Sequence, residues 1–120
     1  DETDDFYPFV AGKPIVFAET LKAILEDLPR QTNSVISAKF HNTVARVILD
    51  VSLQIRRETA INKVILSGGV FQNKYLLEKS LYLLNLYRFE AFTNHQVPAN
   101  DGGISLGQLI IASKLRETCV

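Results

Sequence analysis

The 120-residue chain has no methionine, not even at position 1, and a single cysteine, Cys119, beside its end. Lacking any methionine, it reads as a piece excised from a longer protein. A lone cysteine excludes an internal disulfide, and with no site around it Cys119 is taken as a bystander. The two histidines, His41 and His95, form no HxxxH pair, so the chain cannot assemble a three-ligand metal site unaided. No apolar run approaches the roughly 18 residues needed to cross a bilayer. The acidic start, Asp1 to Asp5, lacks the basic and apolar regions of a targeting signal. Charge of one sign is also missing: 13 Lys+Arg balance 13 Asp+Glu. That removes the usual electrostatic footprint of a nucleic-acid binder. No serine or cysteine nucleophile arrangement, spaced acid pair, internal repeat or low-complexity tract occurs.

What is present is an ordinary globular composition, 47% apolar and 22% charged, sized for a single domain over 1–120. Phe6 to Val10 and Pro14 to Phe17 read as a weak hairpin, with Pro8 suited to an edge. Glu19 to Leu28 reads as a short helix with Leu21, Ile24, Leu25 and Leu28 on one face, ended by Pro29. From Ser34 to about Thr59 the residues Ile36, Phe40, Val44, Val47, Ile48, Val51 and Ile55 form a helical stripe that must be buried. Ser34 or Asn33 is its expected cap. Lys63 to Leu66 is a strand, Tyr75 to Tyr87 a helix buried through Leu76, Leu77, Ser80, Leu81, Leu84 and Tyr87 or Arg88, and Phe89 to Thr93 a second strand. Strand, crossover helix and strand make a parallel βαβ unit. Asn94 to Asn100 is a loop, and Asp101 to about Arg116 a closing helix.

Two glycine steps stand where ligands bind in α/β folds, beyond the carboxyl ends of strands. In Ser67-Gly68-Gly69-Val70-Phe71-Gln72-Asn73 a tight turn follows the first strand and leads into a helix, an arrangement that holds phosphate or ribose against backbone N–H groups. Double glycines at strand ends are common, however, and a need for positive φ or close packing is the more ordinary explanation of the same turn. It is neither a P-loop nor a full GxGxxG fingerprint. Asn73 would bind a ribose or phosphate, or cap locally. Asn100-Asp101-Gly102-Gly103 opens the last helix, and the default role of Asp101 there is capping, with a catalytic or metal role as the alternative.

Three blocks, Lys39-Phe40-His41-Asn42-Thr43-Val44-Ala45, Leu66 to Asn73 and Gln96 to Gln108, resemble in order the C-terminal part of the HypF carbamoyltransferase family. The resemblance implies a helix-rich α/β lobe with a small, mainly parallel sheet. That lobe is the C-terminal half of an actin/Hsp70/sugar-kinase-like (ribonuclease H-like) fold, two lobes closing on a nucleotide. It implies a cytoplasmic parent enzyme that makes carbamoyl-adenylate from carbamoyl phosphate and ATP in a YrdC-like domain. A TsaD-like domain of that parent then passes the carbamoyl group to the C-terminal cysteine of HypE, towards the cyanide ligands of NiFe hydrogenase. By position Gly68, Gly69 and Asn73 match the nucleotide-contacting segment, with ATP or AMP as the nucleotide. Asp101 matches an aspartate that in the related TsaD family holds a metal together with two histidines of the other lobe, which implies a divalent metal in the parent. The implied partners are a HypE-like acceptor, the N-terminal lobe and the YrdC-like domain, with neither nucleic acid nor membrane. Without the other lobe the isolated segment is expected to be inactive. Rival readings are TsaD-type tRNA threonylcarbamoyl transfer, disfavoured by Phe71-Gln72, Gly102-Gly103 and zero net charge, and a non-catalytic nucleotide-binding module of the same superfold.

Overall fold

The computed structural model describes residues 3–12, 14–95, 97–98 and 100–117. Asp1, Glu2, Lys13, Gln96, Ala99 and Cys119 lie outside the described residues. The long apolar stripe forms helix α2, Asn33–Thr59, which starts one residue earlier than a cap at Asn33 allows and two earlier than one at Ser34. Thr32, in extended backbone, is the cap, its hydroxyl accepting from the Val35 N–H at 3.4 Å. At the other end Arg56 and Arg57 lie where helix carbonyls concentrate negative charge, and Ala60 closes the helix at φ 60.

The face of α2 that is buried differs from the expected stripe. Asn42, Thr43, Ala45 and Leu49 are buried with Val47, whereas Phe40 and Ile55 are exposed. Leu49 belongs to the core cluster it forms with Leu66, Leu84 and Phe89, around which Ile48, Leu53, Leu77 and Leu81 pack. Polar Asn42 and Thr43 can be buried because each finds partners across the fold. Asn42 donates to the carbonyls of Thr3 at 2.7 Å and Asp5 at 2.9 Å. Thr43 accepts from the Tyr7 N–H at 2.8 Å and donates to the Lys39 carbonyl at 2.7 Å. The amino-terminal segment is thereby fixed along α2. Val10 and Val16 add a single antiparallel bridge, the remnant of the expected hairpin.

Strand β1, Lys63–Leu66, pairs in parallel with β2, Glu90–Thr93, and helix α3, Lys74–Leu86, crosses between them. Leu76, Ser80 and Leu84 are the buried positions of α3, as their spacing requires. Alternation along the strands buries Leu66 and half-buries Val64, Ala91 and Thr93, while Ile65 stays 74% and Phe92 48% exposed. Those two are register partners, so the second face of the sheet is bare. Arg56 anchors the base of the unit: its guanidinium stacks 4.0 Å from the Phe89 ring centroid and donates to Asn62 Oδ1 at 3.0 Å and the Tyr87 carbonyl at 2.9 Å.

Helix α1, Ala18–Asp27, forms as expected, but Leu21, Leu25 and Leu28 remain exposed. Helix α4, Ile104–Glu117, likewise exposes Ile104, Leu106, Leu109, Ile110, Ile111 and Leu115. The radius of gyration, 18.1 Å, exceeds the roughly 14 Å of a compact domain this long. Among the described residues no helix is long and apolar enough to cross a membrane.

Asp27 joins α1 to α2, accepting from Lys39 at 2.6 Å and from the Tyr7 hydroxyl at 3.0 Å. The Lys39 bond, above all, lowers the Asp27 carboxyl below its ordinary range. Burial first, then the bond to Asp27, pushes the Tyr7 phenol from 10.0 up to about 12.

Leu84→Ala is expected to cost about 2–5 kcal/mol in urea unfolding, whereas Leu109→Ala, on exposed α4, should stay within about 0.5 kcal/mol. The pH dependence has a defined sign at both ends. A phenol with a raised folded-state value contributes stability in full below about pH 10, and that contribution fades as pH rises through about 12. A carboxyl with a lowered value contributes above the ordinary carboxylate range and is lost as pH falls through its folded value. Spectrophotometric titration should therefore show one late-ionising tyrosine that Tyr7→Phe removes, and Asp27→Asn should weaken the acid dependence of unfolding.

Candidate functional site

Beyond Leu66 the chain turns through Gly68 at φ 101 and ψ 160, a conformation open in practice to glycine alone. Gly69 is different: its φ is ordinary, and a Cβ built on it would meet nothing within 4 Å. Neither strain nor packing among the described residues accounts for glycine at 69. The glycines do not open α3 directly, because a 3-10 turn, Gly69–Gln72, intervenes, closed by Phe71 N–H to Gly68 carbonyl at 3.1 Å. Phe71 is half-buried against the core and holds the turn onto the fold.

Asn73 is the cap of α3 and lies just outside it. Its Oδ1 accepts from the Leu76 N–H at 3.1 Å. Its Nδ2 lies 2.8 Å from His41 Nε2. The opposite ring nitrogen, His41 Nδ1, is 2.7 Å from the Ser37 carbonyl. A carbonyl only accepts, so Nδ1 carries the proton and Nε2 accepts from the Asn73 amide. The imidazole also meets the Tyr75 ring edge-on at 5.8 Å, and the Tyr75 hydroxyl donates to Asn42 at 2.8 Å. Sequence reasoning left His41 without a role. The available signal was its place in the Lys39 to Ala45 block.

The second glycine step also departs from expectation. A 3-10 turn, Asp101–Gly103, precedes α4, and its cap is Asn100, whose side chain accepts from the Gly102 N–H at 3.0 Å. Asp101 is therefore not the capping residue, and it is exposed. Gly102 and Gly103 answer to crowding: added Cβ atoms would come within 3.2 Å of Pro98 Cγ and 2.9 Å of Val97 Cγ1. Because Leu66 and Thr93 are register partners on parallel strands, the glycine turn and the loop carrying His95 leave the same end of the sheet. Among the bonds of the site, Asn73 is joined to His41, while Asp101 stands on the other loop.

Among the described residues no three His, Cys, Asp or Glu side chains come together as metal ligands. Asp101 offers one oxygen ligand, which does not make a metal site, and no chemical step through a metal is derived from this chain. A cavity of about 580 Å³ lies elsewhere, between the amino-terminal segment, α2 and α3. Its cations are already engaged, Lys79 with Asp4 at 2.6 Å and Arg46 with Asp50 at 3.4 Å.

Gly68→Ala should destabilise the chain by about 1–3 kcal/mol through backbone strain, and Asn73→Ala by about 1 kcal/mol through loss of the cap. Thermal unfolding monitored by circular dichroism measures both.

Residues 2–108 match a family described as the carbamoyltransferase, Kae1-like domain, second subdomain. The carbamoyltransferase HypF of Synechocystis sp. is 32% identical over 120 residues, 96% of this chain and 15% of the relative. HypF2 of Cupriavidus necator is 32% identical over 93 residues, 77% of this chain and 12% of the relative. The chain thus spans about 15% of the first relative's length. A crystal structure of full-length HypF in the phosphate- and nucleotide-bound form superposes with a TM-score of 0.83 at 46% identity, covering 96% of this chain and 16% of that one. The fold is shared by T. kodakarensis HypF at a TM-score of 0.80 and 23% identity, over 98% of this chain and 15% of that one. With its helix-rich architecture, its two-stranded parallel sheet and a family match over residues 2–108, the chain belongs to the HypF carbamoyltransferase family, in the second subdomain of the Kae1-like domain.

Proposed function

We propose that this chain is the C-terminal lobe of the carbamoyl-transfer domain of a HypF-type enzyme and forms one wall of its nucleotide cleft. On this reading the parent moves a carbamoyl group from carbamoyl-adenylate to the C-terminal cysteine of a HypE-like acceptor. The observation that carries it is Gly69 at the end of β1: a Cβ there would meet nothing within 4 Å among the described residues, so the space glycine leaves open is available to a ligand from outside the chain. The fit to an adenylate has three parts. Gly68 and Gly69, having no side chains, would let a ligand approach the backbone N–H groups of the turn at the end of a parallel strand. Asn73 adds a side-chain amide with donor and acceptor capacity beyond its two bonds within the chain. The site lies where α/β sheets bind nucleotides. The similar full-length HypF crystallised in a nucleotide-bound form supports the same ligand class.

In that role the bound adenylate supplies the activated carbamoyl group. The residues of this chain bind and orient it: the turn N–H groups hold phosphate oxygens, and Asn73 holds ribose or phosphate. Asp101 would contribute one oxygen ligand to a divalent metal whose remaining ligands come from outside this chain. The chain alone is inactive on this reading, since the opposing lobe and the YrdC-like domain are separate parts of the parent.

Calorimetric titration with AMP tests the reading. Gly69→Ala should leave the unfolding temperature of the chain unchanged to within a degree or so, because no atom is displaced. In the full-length parent it should weaken AMP binding about tenfold. Unaltered affinity would remove the proposed wall. Asp101→Ala in the full-length parent should abolish carbamoyl transfer while adenylate formation continues, and unchanged transfer would remove Asp101 from the site.

A further inference from the structure

His41 has the geometry of a device with one setting. Its Nδ1 proton is committed to the Ser37 carbonyl four residues back on the same helix, at 2.7 Å. That bond fixes both the tautomer and the ring plane, and edge-on contacts with Phe40 at 6.1 Å and Tyr75 at 5.8 Å hold the ring from the sides. The lone pair on Nε2 then points at Asn73, 2.8 Å away and 32 positions along the chain. An asparagine amide can be turned over at little cost in shape, and a turned amide would present its oxygen to that lone pair and lose its bond to the Leu76 N–H. Nε2 accepts and cannot donate, so only one orientation of Asn73 satisfies both His41 and the helix cap at 3.1 Å.

We propose that His41 is a positioning residue that locks the amide orientation of Asn73. One N–H of Asn73 and one lone pair of its oxygen are thereby held in fixed directions for a ribose hydroxyl or phosphate oxygen of an adenine nucleotide at the Gly68–Gly69 turn. The inference rests on the nucleotide reading above and goes beyond it in naming the group that sets the hydrogen-bond polarity of the site. A buried structural histidine would leave ligand affinity alone, whereas this one sits on exposed Asn73 and bridges the α2 and α3 walls. A fixed donor binds more tightly than one that must be ordered on association.

The test uses the nitrogen-15-labelled chain, AMP as the ligand in the full-length parent, and the variants His41→Ala, His41→Gln, Asn73→Ala and the double alanine. Without ligand, long-range nitrogen-proton spectra should show the Nδ1–H tautomer of His41. The Asn73 side-chain amide signals should be split and shifted, then collapse towards free-amide values in His41→Ala. An Nε2–H tautomer would overturn the proposal whatever the binding results. With AMP, His41→Ala should weaken affinity about tenfold, the scale of one directed hydrogen bond. His41→Gln, whose amide oxygen can reach the Nε2 position, should restore most of that loss. The double variant should bind no more weakly than Asn73→Ala alone. If Asn73→Ala weakens binding but His41→Ala does not, the lock fails and the nucleotide reading survives. If neither the parent's affinity nor that of Asn73→Ala shows any role for this turn, the nucleotide reading fails and the lock falls with it.

Discussion

Two parallel strands present two faces, and this chain covers one. Helices α2 and α3 lie on the face that carries Val64 and Leu66, and the core of Leu49, Leu66, Leu84 and Phe89 is the result. The rest of the molecule depends on that asymmetry. A parallel connection requires a crossover helix, so the chain must turn sharply at the carboxyl end of β1 before α3 can begin. Gly68 makes the turn, and Phe71 pins it to the core. The site candidate is thus a by-product of sheet geometry, placed where backbone N–H groups are left without strand partners. The other face, with Ile65 and Phe92, together with the bare leucines of α1 and α4, accounts for the extended 66 × 32 × 25 Å shape.

Three consecutive residues of α2 divide the polar work of the fold. His41 reaches forward to the cap of α3. Asn42 holds the amino-terminal segment and receives the Tyr75 hydroxyl. Thr43 receives the Tyr7 N–H while returning its own proton to the helix. Successive helix positions lie about 100° apart, so His41 turns towards α3, Thr43 towards the amino-terminal segment, and Asn42 between them reaches both. This explains why a long helix with a strong apolar stripe turns a partly polar face to the interior. Hydrogen bonds to the amino-terminal segment and to α3, with Ala45 and Leu49 on the same side, outweigh the exposure of Phe40 and Ile55.

Most elements were legible in the sequence because their signals are local. Period and length identified α1, α2, α3 and both strands to within a residue or two and α4 with its start three residues early, and the parallel pairing followed from the crossover helix between them. The resemblance carried by the glycine turn, the Lys39 to Ala45 block and the Gln96 to Gln108 block named the family. What escaped the sequence was relational. That Thr32 caps α2 and Asn100 caps the last turn depends on backbone angles at residues flanked by other good caps. That the expected stripe of α2 is only partly buried depends on which neighbours the chain supplies. The partnership of His41 with Asn73 spans 32 positions and leaves no periodic trace. The glycines also separate only in three dimensions: Gly68 answers to φ and Gly102 and Gly103 to crowding, while Gly69, like Gly107 in α4, meets nothing among the described residues.

That last distinction is the centre of the functional account, since it assigns the empty space over one glycine to a ligand. The most direct measurement is a map of amide chemical-shift changes as AMP is added to the nitrogen-15-labelled full-length parent. The account predicts that, within this segment, the largest changes fall on Gly68, Gly69 and the Asn73 side chain, with smaller ones at Leu76. Changes centred instead on the Asn42, Tyr75 and Lys79 cavity, or none in this segment while the parent binds AMP, would contradict it.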